Sequence, residues 1–278
     1  GDVDTLSTKF LPIKDVQNDR LTKGIDQTQA KSIASYYSNG GSENMARLAA
    51  YLKYRLFTRS DDTVLPAIVY PNTGIYDVNY DAKVHPDLTA YLTHMGLNFQ
   101  QLRRSEKPVI GVLFQRAMIE SDSTELLDQT INQLQQKGAF VIPFYFELSR
   151  SSSDYAHLIQ EKGLTVVDAI VNLRSIHWAS QRKSEFEHFD VPVMQALTYY
   201  DGNQQQWEES SQGVSPGMSP FQLVLPESAG VIDPWIVAAY DRKSGATQII
   251  DYQLDHLTDK ALKVAALRNK GNKDKKIT

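Results

Sequence analysis

The chain has 278 residues, and its 29 Lys and Arg against 33 Asp and Glu give a net charge of −4, which argues against a dedicated nucleic-acid binder. Hydrophobic residues make up 41% and charged residues 22%, which excludes a disordered or collagen-like chain, and no apolar run approaches the ~20 residues that span a bilayer. The chain contains no cysteine, which excludes disulfides and thiol nucleophiles and leads us to expect a cytoplasmic location.

The first part of the chain is rich in predicted helices. Caps, helical spacing of apolar residues and turn residues define its elements. In chain order they are a helix that begins after Asp26, a helix capped by Ser42, an edge strand over residues 64–70, a turn over residues 71–74 and a short helix over residues 86–96.

After residue 102 the pattern changes to alternating strands and helices. The strands are nearly continuous apolar runs, which is typical of strands buried on both faces of a parallel sheet. The predicted strands cover residues 109–114, 139–146, 169–173 and 191–197, with helices over 124–136, 155–162 and the interval before 191, then a hairpin of 235–239 with 247–250 and a helix over 254–267.

These patterns predict an α/β protein with two parts. Residues 1–102 form a smaller helix-rich α+β region, and residues 103–278 form a Rossmann-like domain with a largely parallel sheet flanked by helices. In such sheets ligands bind beyond the carboxyl ends of the strands. Polar side chains that follow the predicted strands are therefore candidate ligand contacts, although each is also an ordinary loop residue or helix cap: Arg116, Glu120, Glu147, Arg174, His177 and Gln195.

Motifs for several common activities are absent or out of context. Ser215 lies in a G-x-S-x-G pattern, but the residues before it are polar and Pro216 follows it, so we interpret the motif as a loop. No glycine-rich nucleotide-binding loop follows the first buried strand. The six histidines lack the spacing of a helical zinc site, and we predict no metal-binding residue. His177 follows a strand directly and is either a proton carrier or axial ligand, or a packed or solvent-facing histidine.

Two further motifs have both a structural and a functional interpretation. Gly40-Gly41-Ser42-Glu43-Asn44 joins one helix to the next, and a helix N-terminus also binds anions such as a propionate or a phosphate. Glu227 lies in a tight turn within Leu225-Pro226-Glu227-Ser228-Ala229-Gly230, where it either stabilises the turn or transfers protons.

The order of these motifs carries more information than any one of them. Over roughly residues 38–276 the chain resembles the CobN cobaltochelatase and magnesium-chelatase H-subunit family. The matching landmarks are Gly40 to Asn44, Gly74 to Asp77, Pro108 to Arg116, Gly138 to Pro143, Val191 to Ala196, Trp207 with Ser210, Gly213 with Pro216, and Leu225-Pro226-Glu227 with Gly230.

The resemblance implies a segment of a much longer protein that binds a cyclic tetrapyrrole between several domains. It also implies that a divalent metal is inserted into or removed from the tetrapyrrole, and that separate AAA+ subunits hydrolyse ATP for this reaction. We expect the isolated segment to be inactive. The family resemblance leads us to expect that a further strand begins at Ile277. Ala229 and Ser121 depart from the usual family residues, which leaves the direction of metal transfer open.

Carried onto this sequence, the resemblance makes Glu227 the candidate catalytic carboxylate and Arg116 a partner for a propionate. The predicted tetrapyrrole-binding set is Arg116, Glu120, Arg174, His177 and Gln195. A non-catalytic Rossmann-like module that binds a small ligand or a partner is the alternative, and a serine hydrolase that uses Ser215 is a third.

Overall fold

A computed structural model describes residues 26–54, 64–147, 151–177 and 179–275 of the chain. These residues form two compact units. The first contains the described residues up to Tyr70 together with Ala117–Ser123, and the second contains Pro71–Arg116 and the described residues from Thr124 onward. Ile277, where a further strand is expected, lies outside the described residues.

The secondary-structure elements follow one another in a regular α/β order. The helices are α1 (Gln27–Asn39), α2 (Ser42–Lys53), α3 (Leu88–His94), α4 (Phe99–Arg104), α5 (Ala117–Glu120), α6 (Glu125–Gln136), α7 (Ala156–Ile159), α8 (Ala179–Phe189), α9 (Gln204–Glu208), α10 (Leu225–Ser228) and α11 (Asp251–Asn269), with a π-helix at Pro220–Val224. The strands are β1 (Thr73–Tyr76), β2 (Val84–His85), β3 (Val109–Leu113), β4 (Phe140–Phe146), β5 (Gln160–Glu161), β6 (Leu164–Thr165), β7 (Ala169–Asn172), β8 (Val193–Tyr199), β9 (Ile232–Asp241) and β10 (Ala246–Ile249).

The first unit contains the two predicted helices α1 and α2. Asp26 caps α1 by accepting hydrogen bonds from the backbone N–H groups of Thr28 and Gln29, as the sequence predicts. The N-cap of α2 is Gly41 rather than Ser42, one residue earlier than predicted.

The predicted edge strand over residues 64–70 is wrong, because this segment has no regular secondary structure and pairs with no strand among the described residues. Side chains of α2 bind its backbone instead. The amide of Asn44 donates to the carbonyl of Ile68 at 2.9 Å and accepts from its N–H at 2.8 Å. Arg47 donates to the carbonyl of Pro66 at 2.7 Å. The backbone polar groups are thus satisfied by side chains of a helix.

The second unit is built on a sheet with the order β10-β9-β8-β7-β3-β4-β1-β2 among the described residues. The strands from β9 to β4 are parallel to their neighbours, and β10, β1 and β2 add antiparallel edges. This is the predicted largely parallel α/β sheet. The parallel strands have the flavodoxin-like order, in which the chain direction across the sheet reverses between β3 and β7.

The predicted turn over residues 71–74 is wrong in its second half, because Thr73 and Gly74 begin β1. They pair antiparallel with Phe146 and Tyr145 of β4. Gly74 suits this position because a Cβ there would lie 2.2 Å from a methyl carbon of Val84. Tight packing against β2 therefore explains the glycine better than a turn does.

The buried strands of the sheet confirm the apolar patterns. All five residues of β3 are buried, and so are all four of β7. The predicted hairpin forms between β9 and β10, and α6, α8 and α11 form close to their predicted positions. The helix predicted over residues 155–162 ends earlier, at Ile159, because the next residues pair as the small β5–β6 hairpin.

Residues 71–102 belong to the sheet-containing unit, so the sequence-based boundary near Leu102 falls inside it. Packing explains this placement, since β1 pairs with β4 and the Tyr91 hydroxyl of α3 donates to the carbonyl of Val141 at 2.9 Å. Among the helices that the structure describes, none is long and apolar enough to cross a membrane.

Candidate functional site

A cleft of ≈ 370 Å³ lies at the carboxyl ends of β7 and β8 in the second unit. Asn172, the last residue of β7, pairs with Gln195 in the register of the sheet, and β8 continues beyond that point to Tyr199. The extra length of β8 forms part of the cleft. In open parallel sheets, ligands bind beyond the carboxyl ends of the strands. Its lining residues are Leu126, Leu173, Arg174, Ser175, Ile176, His177, Gln195, Ala196, Leu197, Thr198, Tyr200, Met218, Phe221, Gln222 and Pro226.

The loop that follows β7 is fixed by two buried amide side chains. The Asn172 amide donates to the Gln195 side-chain oxygen at 2.7 Å and to the carbonyl of Arg174 at 3.0 Å. The Gln195 amide nitrogen lies within hydrogen-bonding distance of the carbonyls of Asn172, Arg174 and Ala196, at 3.2, 3.1 and 2.9 Å. The Gln195 amide is thus engaged with the backbone, including the loop residue Arg174.

Arg174 carries a buried positive charge at one side of the cleft. Its guanidinium Nη2 lies 3.3 Å from Oε2 of Glu185 on α8, and the two side chains are only 2% and 3% exposed. Arg182, on the same helix, donates to both oxygens of Glu185 at 2.9 and 2.7 Å. The Arg174 guanidinium also stacks over the ring of Phe146 at 4.6 Å, a favourable cation–π contact.

The charge balance of this cluster favours an anionic ligand. Two guanidinium groups share the single carboxylate of Glu185, so the three side chains carry one excess positive charge. Burial lowers the pKa of Arg174, and the charge of Arg182 lowers it further, yet at about 9 the group stays protonated at neutral pH. Within the part of the chain that the structure describes, Nε and Nη1 of Arg174 have no hydrogen-bond partner. Buried donors of this kind are normally satisfied.

The mouth of the cleft is aromatic. His177 is exposed, and its ring centre lies 6.4 Å from that of Phe221 in the π-helix. Phe221 and Tyr200 are 49% and 45% exposed. Gln222 turns inward and donates to the carbonyl of Thr198 at 2.7 Å, which fixes the π-helix on β8.

The predicted catalytic residue Glu227 lies beside the cleft rather than in its wall. Its neighbour Pro226 lines the cleft, and both belong to the short helix α10. The Glu227 side chain is exposed. Of the described residues that line the cleft, only His177 carries a side chain that commonly ligates metal ions.

Arg116 lies at the carboxyl end of β3 and does not line this cleft. Its Nη1 donates to Asn72 at 2.7 Å, and its Nε lies 3.5 Å from Glu147, which follows β4. The negative charge of Glu147 also acts on Arg174, whose pKa it raises. The predicted site residues of the sheet unit therefore divide into a central group, Arg174, His177 and Gln195, and the flanking Arg116.

Glu120 belongs to the first unit, on α5. Its backbone carbonyl packs against Gly40, and a Cβ at Gly40 would lie 2.4 Å from that oxygen. The nearby carboxylate of Asp122 accepts a hydrogen bond from the N–H of Ser42 at the start of α2. The anion at this helix N-terminus is thus a side chain of the protein itself, which supports the structural interpretation of the Gly40–Asn44 motif.

Ser215 lies in the loop between α9 and the π-helix, with no strand directly before it. Its carbonyl accepts hydrogen bonds from Met218 and Ser219 at 3.0 and 2.9 Å. A nucleophile elbow requires a strand, a sharp turn and a helix around the serine. The G-x-S-x-G match is therefore a loop motif, as the sequence predicts.

Three contributors to the cleft were not among the sequence-based candidates. Glu185 and Arg182 lie in a helix predicted only as polar, and Phe221 lies in a segment for which the sequence suggested no regular structure. The sequence signal for the ion cluster is the spacing of Arg182 and Glu185, three residues apart on one helix face. Together the fold and the cleft define a doubly wound α/β protein with a cleft suited to a ligand that is both apolar and anionic.

Comparisons with known proteins identify the family. The chain belongs to the CobN/Magnesium Chelatase family, which it matches over residues 34–278. It is 25% identical over 299 residues to an uncharacterized protein of Methanocaldococcus jannaschii, covering 96% of this chain and 23% of the relative. It is 26% identical over 207 residues to the chloroplastic magnesium-chelatase subunit ChlH of Oryza sativa subsp. indica, covering 70% of this chain and 15% of the relative.

A solved structure has the same fold. The catalytic subunit of cobaltochelatase from Mycobacterium tuberculosis matches with a TM-score of 0.66 and 19% identity, covering 93% of this chain and 21% of that chain. The chain thus spans about a fifth of the length of the relatives that it matches. These matches confirm the family resemblance that the motif order indicated.

Proposed function

We propose that this chain contributes a tetrapyrrole-binding surface to a CobN-like metal chelatase subunit, and that the cleft at β7 and β8 receives a carboxylate-bearing edge of the macrocycle. The observation that carries the proposal is Arg174, a buried guanidinium at the cleft whose Nε and Nη1 have no hydrogen-bond partner among the described residues. Family membership supplies the ligand class, and the cleft supplies a residue able to recognise it.

A carboxylate is the anion that best suits this arrangement. Guanidinium groups bind carboxylates through two parallel hydrogen bonds, and such bonds are about twice as strong as neutral ones. Glu185 satisfies only one side of the Arg174 guanidinium, at Nη2. A propionate or acetate side chain would offset the excess charge of the ion cluster and accept a hydrogen bond from Nε or Nη1 of Arg174.

The aromatic mouth suits the flat, apolar face of a tetrapyrrole. The rings of Phe221 and His177 lie 6.4 Å apart in the cleft lining, and Tyr200 adds a further aromatic ring. Stacking on exposed aromatic rings stabilises a flat ligand by removing both surfaces from water. A ligand that combines this face with carboxylates matches both parts of the cleft.

Glu227 is our candidate for the proton acceptor. Insertion of a divalent metal into a tetrapyrrole releases two pyrrole protons, and removal of the metal restores them. A carboxylate next to the cleft is chemically able to accept one of these protons in the first case and to donate it in the second. Its exposure in this chain leaves it accessible to a ligand held in the cleft.

The remaining components belong to the same proposal. Other domains of the parent subunit would complete the tetrapyrrole cavity, and separate AAA+ subunits would hydrolyse ATP. We expect this segment alone to bind weakly and to be inactive, and we retain the expectation of a cytoplasmic location. Arg116 and Glu120 remain candidate contacts for other parts of the macrocycle.

The test is a titration of the natural full-length protein with protoporphyrin, followed through the Soret band. We expect His177→Ala and Phe221→Ala each to weaken binding by about fivefold, since each removes a stacking contact worth about 1 kcal/mol. His256→Ala, an exposed histidine on α11, is the matched control. Equal affinity in all four proteins, or no binding, would reject the cleft and favour a non-catalytic binding module.

The natural full-length protein also serves to test the role of Glu227 in metal transfer. We expect Glu227→Gln to bind protoporphyrin normally but to exchange metal about 100-fold more slowly in the presence of the ATPase subunits, the usual effect of removing a general base. Co²⁺ and Mg²⁺ are the metals to supply. An unchanged rate with both metals would remove Glu227 from the mechanism.

A further inference from the structure

Three side chains with metal-binding atoms converge at the β1–β2 edge of the sheet, away from the cleft residues. They are Asp77, His85 and His94, and one ligand atom from each lies within 4.8 Å of the other two. Nε2 of His85 lies 3.4 Å from Oδ2 of Asp77, and Nε2 of His94 lies 3.5 Å from the same oxygen. Both imidazoles thus face one carboxylate oxygen.

The fold holds two of these residues in place through the β1–β2 hairpin. Asp77 follows the last residue of β1, and His85 in β2 pairs with Ile75. The N–H of Asp77 donates to the carbonyl of Lys83 at 3.0 Å, which closes the loop between the strands. Lys83 has a positive φ of 62°, so the chain turns sharply just before β2.

The third residue, His94, lies at the end of α3. This helix is capped by Asp87, whose side chain accepts from the N–H of Ala90 at 2.8 Å. It is anchored to the sheet by the buried side chain of Tyr91, whose hydroxyl donates to Val141. The helix end is therefore fixed relative to the hairpin.

The contact between His85 and Asp77 is a long hydrogen bond of 3.4 Å, and this length also matches the spacing of two ligands of one ion. A strong N–H···O hydrogen bond to a carboxylate spans ~2.7–2.9 Å. Four ligands at about 2.0–2.2 Å from a tetrahedral Zn²⁺ stand about 3.3–3.5 Å from one another. The separations of 3.4 and 3.5 Å fall in the second range.

The surroundings of the three side chains also suit an ion. Oδ1 of Asp77 accepts a hydrogen bond from the N–H of Asn79 at 2.9 Å, which orients Oδ2 toward the two histidines. Such outer contacts orient metal ligands in proteins. The ring of Tyr80 stacks on His85 with centres 4.1 Å apart and lies 5.1 Å from His94. It covers one side of the cluster.

Access to the cluster is from the His94 side. The side chains of Asp77 and His85 are each 4% exposed, while that of His94 is 41% exposed. An ion held by three protein ligands and open to solvent at the fourth position matches the architecture of a zinc site that keeps an exchangeable water. The ligand set, two imidazoles and one carboxylate, is typical of zinc, cobalt and related divalent transition metals.

We propose that Asp77, His85 and His94 form a binding site for a divalent transition-metal cation of the Zn²⁺ or Co²⁺ class. The spacing of these residues along the chain, eight and nine positions, matches no helical metal motif, so the sequence predicted no metal ligand here. The site is separate from the cleft and stands whether or not the cleft binds a tetrapyrrole.

The experiment titrates the metal-stripped 278-residue chain with Zn²⁺ by calorimetry and with Co²⁺ by visible absorption. We expect one Zn²⁺ per chain and Co²⁺ absorption bands typical of tetrahedral coordination. His94→Ala removes an exposed ligand with little risk to folding and lowers the Zn²⁺ affinity by more than ~10-fold, since even outer contacts contribute that much. Asp77→Asn lowers it as well.

The control is His157→Ala, which removes an exposed histidine outside the cluster and leaves the affinity unchanged. A second readout is the melting temperature, which Zn²⁺ raises in the wild type and in His157→Ala but not in His94→Ala. Absence of stoichiometric Zn²⁺ binding, or equal affinity in His94→Ala and the wild type, would overturn the proposal.

Discussion

The guanidinium of Arg174 lies 3.3 Å from the carboxylate of Glu185, and both side chains are buried next to an open cleft. Arg182 binds the same carboxylate from within α8, so the carboxylate has two cationic partners. A buried ion pair rarely adds much stability by itself, because desolvation offsets the attraction. Its value here is to hold the Arg174 guanidinium at the cleft, where one carboxylate shared with Arg182 leaves an excess positive charge.

The two sides of this ion pair should respond differently to substitution. Glu185→Gln leaves the buried Arg174 and the partly buried Arg182 without their shared carboxylate, and we expect it to lower the free energy of unfolding by about 3–5 kcal/mol. Arg174→Met leaves Glu185 paired with Arg182 at 2.7 Å and should cost clearly less. Urea unfolding of both variants measures the difference, and equal losses would contradict this view of the cluster.

Gln195 should act as a positioning residue. Gln195→Leu removes the amide that contacts the carbonyls of Asn172, Arg174 and Ala196, and the buried Asn172 amide loses its Gln195 acceptor. We expect a loss of about 1–3 kcal/mol in unfolding free energy. Gln222→Leu removes a single contact, to Thr198, and serves as the matched comparison with a smaller loss. The reverse order of the two losses would show that the loop after β7 does not depend on Gln195.

The Gly40–Gly41 pair tests the structural interpretation of its motif. Both glycines have positive φ, at 62° and 80°, with extended ψ values of −166° and 151°, so alanine is strained at each by about 1–3 kcal/mol. At Gly40 the new Cβ would also lie 2.4 Å from a backbone oxygen, whereas at Gly41 the nearest atom lies at 3.5 Å. We therefore expect Gly40→Ala to be the more destabilising in thermal unfolding. Equal effects would argue against close packing at Gly40.

The link between α6 and α11 should make stability depend on pH. Lys137 Nζ lies 2.6 Å from Asp259, and this hydrogen bond holds the pKa of Asp259 below its ordinary value. A carboxyl whose pKa is lower in the folded state contributes stability above its unfolded pKa of ~3.9 and loses it as the pH falls through the folded pKa. Asp259→Asn should thus be less stable than the wild type at neutral pH, and the difference should shrink below pH ~4. Urea unfolding across this range measures it, and a constant difference would contradict the assignment.

Much of the sheet could be predicted from the sequence because its central strands carry their own signal. The apolar runs of β3, β4 and β7 are long, and glycine or a cap separates them from helices with clear periodicity. The strand predicted over residues 64–70 failed because its composition is strand-like while its backbone partners are the side chains of Asn44 and Arg47. Partners of this kind depend on tertiary packing and leave no local pattern.

The candidate site was predicted only in part for a related reason. The rule that ligands bind at the ends of parallel strands identified Arg174, His177 and Gln195, which the structure brings together. It also selected Glu120, which belongs to the other unit. The burial of the Arg174 guanidinium and its sharing of Glu185 depend on how α8 packs, and this was not visible in the sequence.

The central claim is that the Arg174 guanidinium recognises a carboxylate of a tetrapyrrole. The most direct measurement compares the affinities of the full-length protein for protoporphyrin and for its dimethyl ester, in the wild type and in Arg174→Met. We predict that the wild type binds the free acid at least ~10-fold more tightly than the ester, and that the preference disappears in the variant, because a charge-assisted hydrogen bond contributes about 1.5–3 kcal/mol. An unchanged preference in Arg174→Met, or no preference in the wild type, would contradict it.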